Sequence, residues 1–152
     1  MVNLQITDTL VLQEQEAAIA DLLREAAQAT LAHTASTPES DLTVMLGDDA
    51  LLQELNFQYL GIAAPTDVLS FPAGEIDPDT GRVYLGDVVV SYPRAQLQSA
   101  GRHSLEEELQ LLVVHGVLHL LGYDHGAAED KSKMWAVQEQ ILKILGCMIS
   151  PP

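Results

Sequence analysis

The chain has 152 residues, of which 47% are hydrophobic and 19% charged, and this composition is that of a globular protein rather than a disordered one. Its formal net charge of −15 disfavours long-range attraction to anionic partners, so a nucleic acid would have to be held by a local feature such as a metal ion or a few arginines. The single cysteine, Cys147, excludes an internal disulfide and a cysteine-based zinc finger.

The first half of the chain alternates between strand and helix patterns. Val2–Ile6 alternates apolar and polar residues, as a half-buried strand does. A helix is predicted from about Glu14 to Ala32, because apolar residues recur there on one face. After turn-forming residues 33–41, Leu42–Leu46 predicts a second strand, and residues 47–61 predict a short helix that a glycine ends.

Two more strands are expected before the C-terminal helices. The third covers residues 67–72 and is expected to stop at Pro72, because proline cannot donate to a strand ladder. Residues 73–82 are dense in Gly, Pro and Asp and predict a loop. Residues 83–91 are the most β-branched stretch of the chain and predict the fourth strand.

Two helices are predicted at the C-terminal end. The first runs from Ser104 to about Leu121, since Ser104 and Glu107 fit a capping box. The second runs from about Ala127 to Leu145. The side chains expected on its buried face are Met134, Val137, Ile141 and Ile144. This mixture of strands and helices suggests a single α+β domain.

The N-terminus and the most apolar segment bear on location. Residues 1–10 have no basic segment followed by an apolar run, which argues against a secretory signal. The most apolar stretch, residues 111–121, is too short to span a bilayer. We therefore expect a cytoplasmic protein without a membrane partner.

Residues 115–125, HGVLHLLGYDH, contain three histidines with the spacing H-x3-H-x5-H. His115 and His119 are one turn apart on a predicted helix, so both rings project from the same face. Gly122 lets the chain turn sharply afterwards, and His125 can return to the same ion. Three imidazoles are a common ligand set for catalytic zinc, with a fourth position left for water.

Two alternative roles for these histidines stay open. Core histidines can be satisfied by backbone carbonyls, although three at this spacing, with a glycine between the second and the third, favour a metal site. A structural zinc would usually have four protein ligands, commonly cysteines. Cys147 lies far along the next helix and is not expected to be a ligand.

The residue after the first histidine indicates the class of chemistry. It is Gly116, where zinc peptidases of the H-E-x-x-H class have the glutamate that serves as general base. Such a base commonly contributes about 10²–10⁴-fold in rate, so an ordinary peptidase is disfavoured. Three neutral histidines leave the full dipositive charge on the ion, which attracts phosphate and can lower the pKa of a bound water to about 7. Hydrolysis of a phosphodiester by zinc-bound water is therefore chemically reasonable.

The histidine segment resembles the signature of the YbeY family, bacterial rRNA maturation factors described as single-strand-specific metallo-endoribonucleases. Residues 55–72 (LNFQYLGIAAPTDVLSFP) and 85–91 (LGDVVVS) look like two further segments of that family, and residues 134–146 (MWAVQEQILKILG) are similar to its last helix. These segments follow the family's order and spacing across most of residues 55–146.

The resemblance implies an α+β domain over residues 1–152, with a small mixed four-stranded sheet packed with helices and a central metal-binding helix. It implies one zinc ion per chain, held by His115, His119 and His125. It further implies cleavage of single-stranded RNA in 16S rRNA 3′-end maturation and ribosome quality control. Ribosomal particles or assembly factors would then be partners, and DNA would not.

One departure from the family pattern concerns phosphate binding. Leu60 stands where many members have an arginine thought to contribute to activity, and leucine cannot clamp a phosphate. Arg94, after the fourth strand, and Arg102, just before the histidine helix, are candidates to bind substrate instead. A solvated surface arginine is the more common role for either.

Residues beside and outside the motif could serve in more than one way. Asp124, just before His125, could orient an imidazole, take a proton during catalysis or fix the turn after the helix. His33 and His103 are expected at the surface.

Two functions besides a zinc endoribonuclease stay open: another zinc hydrolase, such as a peptidase with an unusual base, and a non-catalytic, zinc-stabilised ribosome-assembly factor.

Overall fold

The computed structural model describes residues 1–34, 39–147 and 149. The strands and α-helices found in these residues are β1 (Val2–Ile6), α1 (Glu16–Thr34), β2 (Ser40–Gly47), α2 (Asp49–Leu60), β3 (Val68–Ile76), β4 (Val83–Ser91), α3 (Tyr92–Ser99), α4 (Leu105–Leu120) and α5 (Ala128–Ile144). A 3-10 turn, Gln13–Gln15, leads into α1. Residues 35–38, part of the predicted turn after α1, lie outside the described residues.

The four strands form one mixed sheet in the order β1-β2-β4-β3. β1 and β4 both run parallel to β2, whereas β3 pairs antiparallel with β4 as the other half of a hairpin. β4 is thus an inner strand, and its valine run, residues 88–90, is buried as an inner strand requires. The predicted α+β fold with a small mixed sheet is confirmed.

Helices pack on both faces of this sheet. Residues of α1, α4 and α5 share one hydrophobic core with Val88 and Val90 of β4, while Leu52 of α2 packs with Leu69 and Val89 on the opposite face. α4 is the central helix, because it contacts three other helices as well as β3 and β4, and most of its residues are buried. In the part of the chain that the structure describes, no helix has both the length and the apolar character needed to cross a lipid bilayer.

β3 is longer than the sequence predicted. It does not stop at Pro72 but continues to Ile76, so the predicted loop loses its first four residues to the strand. Pro72 is tolerated because β3 lies at the edge of the sheet, where a missing backbone N–H need not break a ladder on both sides. The pairing with β4 shifts register between Pro72 and Glu75, which absorbs the irregularity.

Helix α3 was not predicted. Ser91, the last residue of β4, caps it by accepting a hydrogen bond from the backbone N–H of Arg94, and Pro93 occupies its first turn. A serine followed closely by a proline is a helix-start signal, but the helix is too short for a clear apolar periodicity.

The buried face of α5 also differs from the prediction. Met134 and Ile141 are buried as expected, but Ile144 is 64% exposed. Gln138 is buried instead, with 1% of its surface exposed. A buried polar side chain requires a hydrogen-bond partner, and that partner lies in the histidine cluster.

Candidate metal centre

The three histidines of the motif lie together at the C-terminal end of α4. The ring centroids of His115 and His119 are 4.7 Å apart, and the ring of His125 lies 5.5 Å from the first and 5.0 Å from the second. One ligand nitrogen from each ring lies within 4.8 Å of the others. The structure therefore brings together the three residues that the spacing singled out.

The return of His125 depends on how α4 ends. The N–H of Tyr123 bonds to the carbonyl of Leu118 and the N–H of Gly122 bonds to that of His119, which together form a Schellman motif. Gly122 has a φ of 95°, a left-handed conformation that a side chain would strain. The glycine thus reverses the chain and returns His125 to the two helical rings.

Gln138 of α5 sets the orientation of His115. Its Oε1 lies 3.0 Å from Nδ1 of His115, and because an amide oxygen can only accept, Nδ1 carries the proton. The lone pair of His115 is then on Nε2, which faces His119. Sequence reasoning missed Gln138, although a polar residue on the apolar stripe of α5 was the available signal.

The protonation states and spacing of the rings fit a divalent transition metal. Burial lowers the pKa of His115 and of His119, which favours the neutral imidazoles that bind metal ions. The two Nε2 atoms lie 3.1 Å apart. Two nitrogens that each bind a tetrahedral zinc ion at about 2.0–2.1 Å are roughly 3.4 Å apart. The cluster could therefore hold a metal ion with only a small adjustment.

Gly116 faces the sheet rather than the cluster. A Cβ atom at this position would lie 2.5 Å from Cγ1 of Val88 and 3.3 Å from Oγ of Ser70. The Ser70 hydroxyl donates a hydrogen bond of 2.8 Å to the Gly116 carbonyl, which holds α4 against β3. A glutamate at this position, as in the H-E-x-x-H peptidases, would have no room and would not point to the metal.

Three other residues that the sequence singled out, Asp124, Arg94 and Leu60, have different surroundings. Asp124 accepts a hydrogen bond of 2.7 Å from the backbone N–H of His125, so it fixes the turn that carries this histidine. The Arg94 guanidinium pairs with Asp49 at 3.6 Å. Leu60 ends α2 and is 60% exposed.

A cavity of about 330 Å³ adjoins the cluster and shares His115 with it. Arg102 lines this cavity, as do Trp135 and Gln138. The plane of the Trp135 indole ring is steeply inclined to the rings of two histidines, at 80° to His115 and 71° to His125, and its centroid lies 5.7 Å and 5.6 Å from theirs. An aromatic ring therefore lies beside the cluster and also lines the adjoining cavity.

His103 is not the surface residue that was expected. Its Nε2 lies 2.8 Å from a carboxylate oxygen of Glu108, and the two side chains are 18% and 6% exposed. Both line the cavity. Glu108 lies in the first turn of α4, and the tertiary structure buries it against this histidine.

Replacing Gln138 with leucine should weaken metal binding about 10–100-fold, because His115 loses the acceptor that fixes its tautomer. Competition with a chelating dye at pH 7.5 measures the effect. Gln140→Leu is the matched control, since Gln140 is an exposed residue of α5 that bonds to His33. Equal affinities for the two folded variants would contradict the role given to Gln138.

Three histidines clustered at the end of the central helix are a ligand set that metal-dependent hydrolases commonly use. A family model described as Endoribonuclease YbeY matches residues 5–146. An endoribonuclease YbeY of Halalkalibacterium halodurans is 42% identical, over 95% of this chain and 97% of that protein. Another, from Roseiflexus sp., is 44% identical over 82% of each chain.

A solved structure also resembles the fold. The solution structure of TM1509 from Thermotoga maritima matches with a TM-score of 0.57 and 23% identity, over 96% of this chain and 92% of that one. This likeness bears on the fold alone. The sequence matches establish that the chain belongs to the YbeY family of endoribonucleases. They confirm the family predicted from the histidine segment and the prediction of a hydrolytic enzyme.

Proposed function

We propose that the protein is a zinc-dependent endoribonuclease that cleaves single-stranded RNA. The observation that carries this proposal is the convergence of His115, His119 and His125 in a chain of an endoribonuclease family. Zinc is the metal we favour, because three neutral imidazoles with a remaining open position are a common catalytic zinc ligand set. When bound, the ion supplies Lewis acidity and an activated water for attack on a phosphodiester.

The chain's own residues prepare the site for that chemistry. Gln138 holds the proton of His115 on Nδ1, and burial keeps His115 and His119 neutral. Asp124, through its bond to the His125 backbone, acts in this proposal as a positioning residue rather than as the proton acceptor. Arg102 is the arginine we retain as a substrate ligand, because it lines the adjoining cavity whereas Arg94 is paired with Asp49.

We further propose 16S rRNA in its 3′-end maturation as the substrate, with a role in ribosome quality control and ribosomal particles or assembly factors as partners. Residues 1–152 would act as one catalytic domain, and the cytoplasm is the compartment in which such a role is carried out. The acidity of the chain, with its net charge of −15, supports recognition by local contacts over a broad basic surface.

Removal of the metal tests the proposal. Protein treated with chelator and then freed of it should fail to cleave a single-stranded fragment spanning the 16S rRNA 3′ end, and one equivalent of zinc should restore cleavage. The same fragment annealed to its complement is the substrate control and should stay intact. Cleavage that persists in the metal-free protein would overturn the proposed chemistry.

The other two functions give different results in parallel assays. A peptidase would release peptides from casein in the zinc form, and the lack of room for a base at Gly116 counts against this result. A non-catalytic assembly factor would co-sediment with ribosomal particles and turn over no RNA.

A further inference from the structure

The cavity beside the histidine cluster combines apolar and charged groups. Val68, Leu111 and Leu112 give it apolar surface, and Trp135 gives it an aromatic ring. Its volume of about 330 Å³ and its mixed lining are those of a small-molecule subsite rather than of a packing defect.

Most of the polar groups in the cavity already have partners. Gln138 bonds to His115, and Glu108 bonds to His103. Asp67, Gln98 and Arg102 differ, because among the described residues none of these three side chains makes a hydrogen bond or an ion pair, and Arg102 is exposed at the rim of the cavity. Asp67 is half-buried, so its carboxylate loses part of its hydration without gaining a protein donor. A carboxylate, an amide and a guanidinium thus line one cavity and can bind a ligand, and of these the two charged groups make the strongest hydrogen bonds.

A nucleobase matches this set of groups. Its flat faces can stack on an aromatic ring, and its edges carry donors and acceptors in one plane. Guanine matches best: N1–H and the 2-amino group present two neighbouring donors to one carboxylate, while O6 and N7 are the usual acceptors for arginine. Adenine offers only its 6-amino group as a donor, and uracil a single N–H.

We propose that this cavity binds an unpaired guanine base of the RNA strand, with Asp67 and Arg102 reading its edges and Trp135 contacting its face. The inference rests on the proposed function, since it gives the histidine cluster an RNA substrate. Because His115 belongs to both sites, a base in the cavity places its neighbouring phosphate at the cluster.

This arrangement gives a physical reason for a preference for single strands. A base enters the cavity only after leaving its stack and its base pair, which requires more free energy in a duplex than in a single strand. Recognition through a base also suits a chain of net charge −15, because such a chain is not attracted to the RNA backbone at long range.

Trp135 provides the test, because it is the only tryptophan in the sequence. Metal-loaded protein is titrated with the 5′-monophosphates of guanosine, inosine, adenosine and uridine, which share one phosphate and contain no internucleotide bond. Guanosine monophosphate should change the tryptophan fluorescence saturably and bind about tenfold more tightly than the adenosine and uridine compounds. Inosine monophosphate, which lacks the 2-amino group, should bind with intermediate affinity.

Two variants and their matched controls assign the contacts. Asp67→Asn and Arg102→Gln should each reduce the preference for guanosine monophosphate about tenfold. Asp21→Asn and Arg24→Gln change the same residue types on the surface of α1, where these two side chains pair with each other. These control variants should leave the preference for guanosine monophosphate unchanged. Circular dichroism and metal content confirm that each variant is folded and loaded.

The outcomes separate this inference from the proposed function. Equal fluorescence titrations by all four nucleotides would overturn the guanine subsite, even if single-stranded RNA is cleaved. A guanosine preference that depends on Asp67, in a protein that cleaves no RNA, would support the subsite and overturn the endoribonuclease proposal. If the guanine subsite and the endoribonuclease activity are both confirmed, uridine-rich strands that contain one guanosine should be cleaved beside that guanosine. In Asp67→Asn the cleavage should no longer be confined to that position.

Discussion

Replacing His119 with alanine is expected to abolish stoichiometric metal binding and to reduce RNA cleavage by at least about 100-fold. The loss should exceed the roughly 10–100-fold typical of a residue that only orients a ligand, because a ligand itself is removed. His119 Nε2 lies 3.1 Å from His115 Nε2, so its removal also leaves His115 without its nearest neighbour in the cluster. Metal per chain by mass spectrometry and the rate of RNA cleavage are the two measurements.

His33→Ala is the matched control for this variant. His33 lies on α1, outside the motif, and its exposed ring bonds to Gln140 at 3.0 Å. Its loss should leave metal content and cleavage unchanged. If the His119→Ala protein were folded, kept one metal ion per chain and cleaved RNA at the normal rate, the three-histidine site would be excluded as the catalytic centre.

Replacing Gly116 with alanine should lower the free energy of unfolding by about 1–3 kcal/mol. Replacing a glycine inside a helix with alanine usually stabilises the folded protein by roughly 0.5–1 kcal/mol. At Gly116 the close approach of β4 reverses the sign of this effect. A Cβ atom here would lie 2.5 Å from Cγ1 of Val88, which is fully buried. Urea denaturation monitored by circular dichroism measures the change.

Two further variants check the cause of this destabilisation. Gly126→Ala should be nearly neutral, because the nearest atom to its added Cβ is 3.6 Å away. Gly116→Ala combined with Val88→Ala should cost less than the sum of the single changes, since the smaller residue makes room for the new methyl group. A Gly116→Ala protein at least as stable as the parent would show that α4 is not held as closely to the sheet as these distances indicate.

The sequence alone predicted those features that depend on near neighbours in the chain. The spacing of His115, His119 and His125 on a helix and a glycine turn follows from helix geometry, and the capping box of Ser104 and Glu107 is present in the structure. The four strands and the helices with clear periodicity were also predicted, with errors at their ends. Residue identity in the motif segments was sufficient to recognise the family.

Only the tertiary structure decided what depends on residues distant in sequence. Pro72 lies within a strand because β3 is at the sheet edge, and Gly116 is required because β4 approaches α4 closely. Gln138 bonds to His115 from another helix, and Asp67 and Arg102 line one cavity although 35 positions separate them in the chain. No local sequence pattern specifies such pairings. They arise when whole helices and strands pack together, and the sequence of one element does not say which other element its exposed side chains will contact.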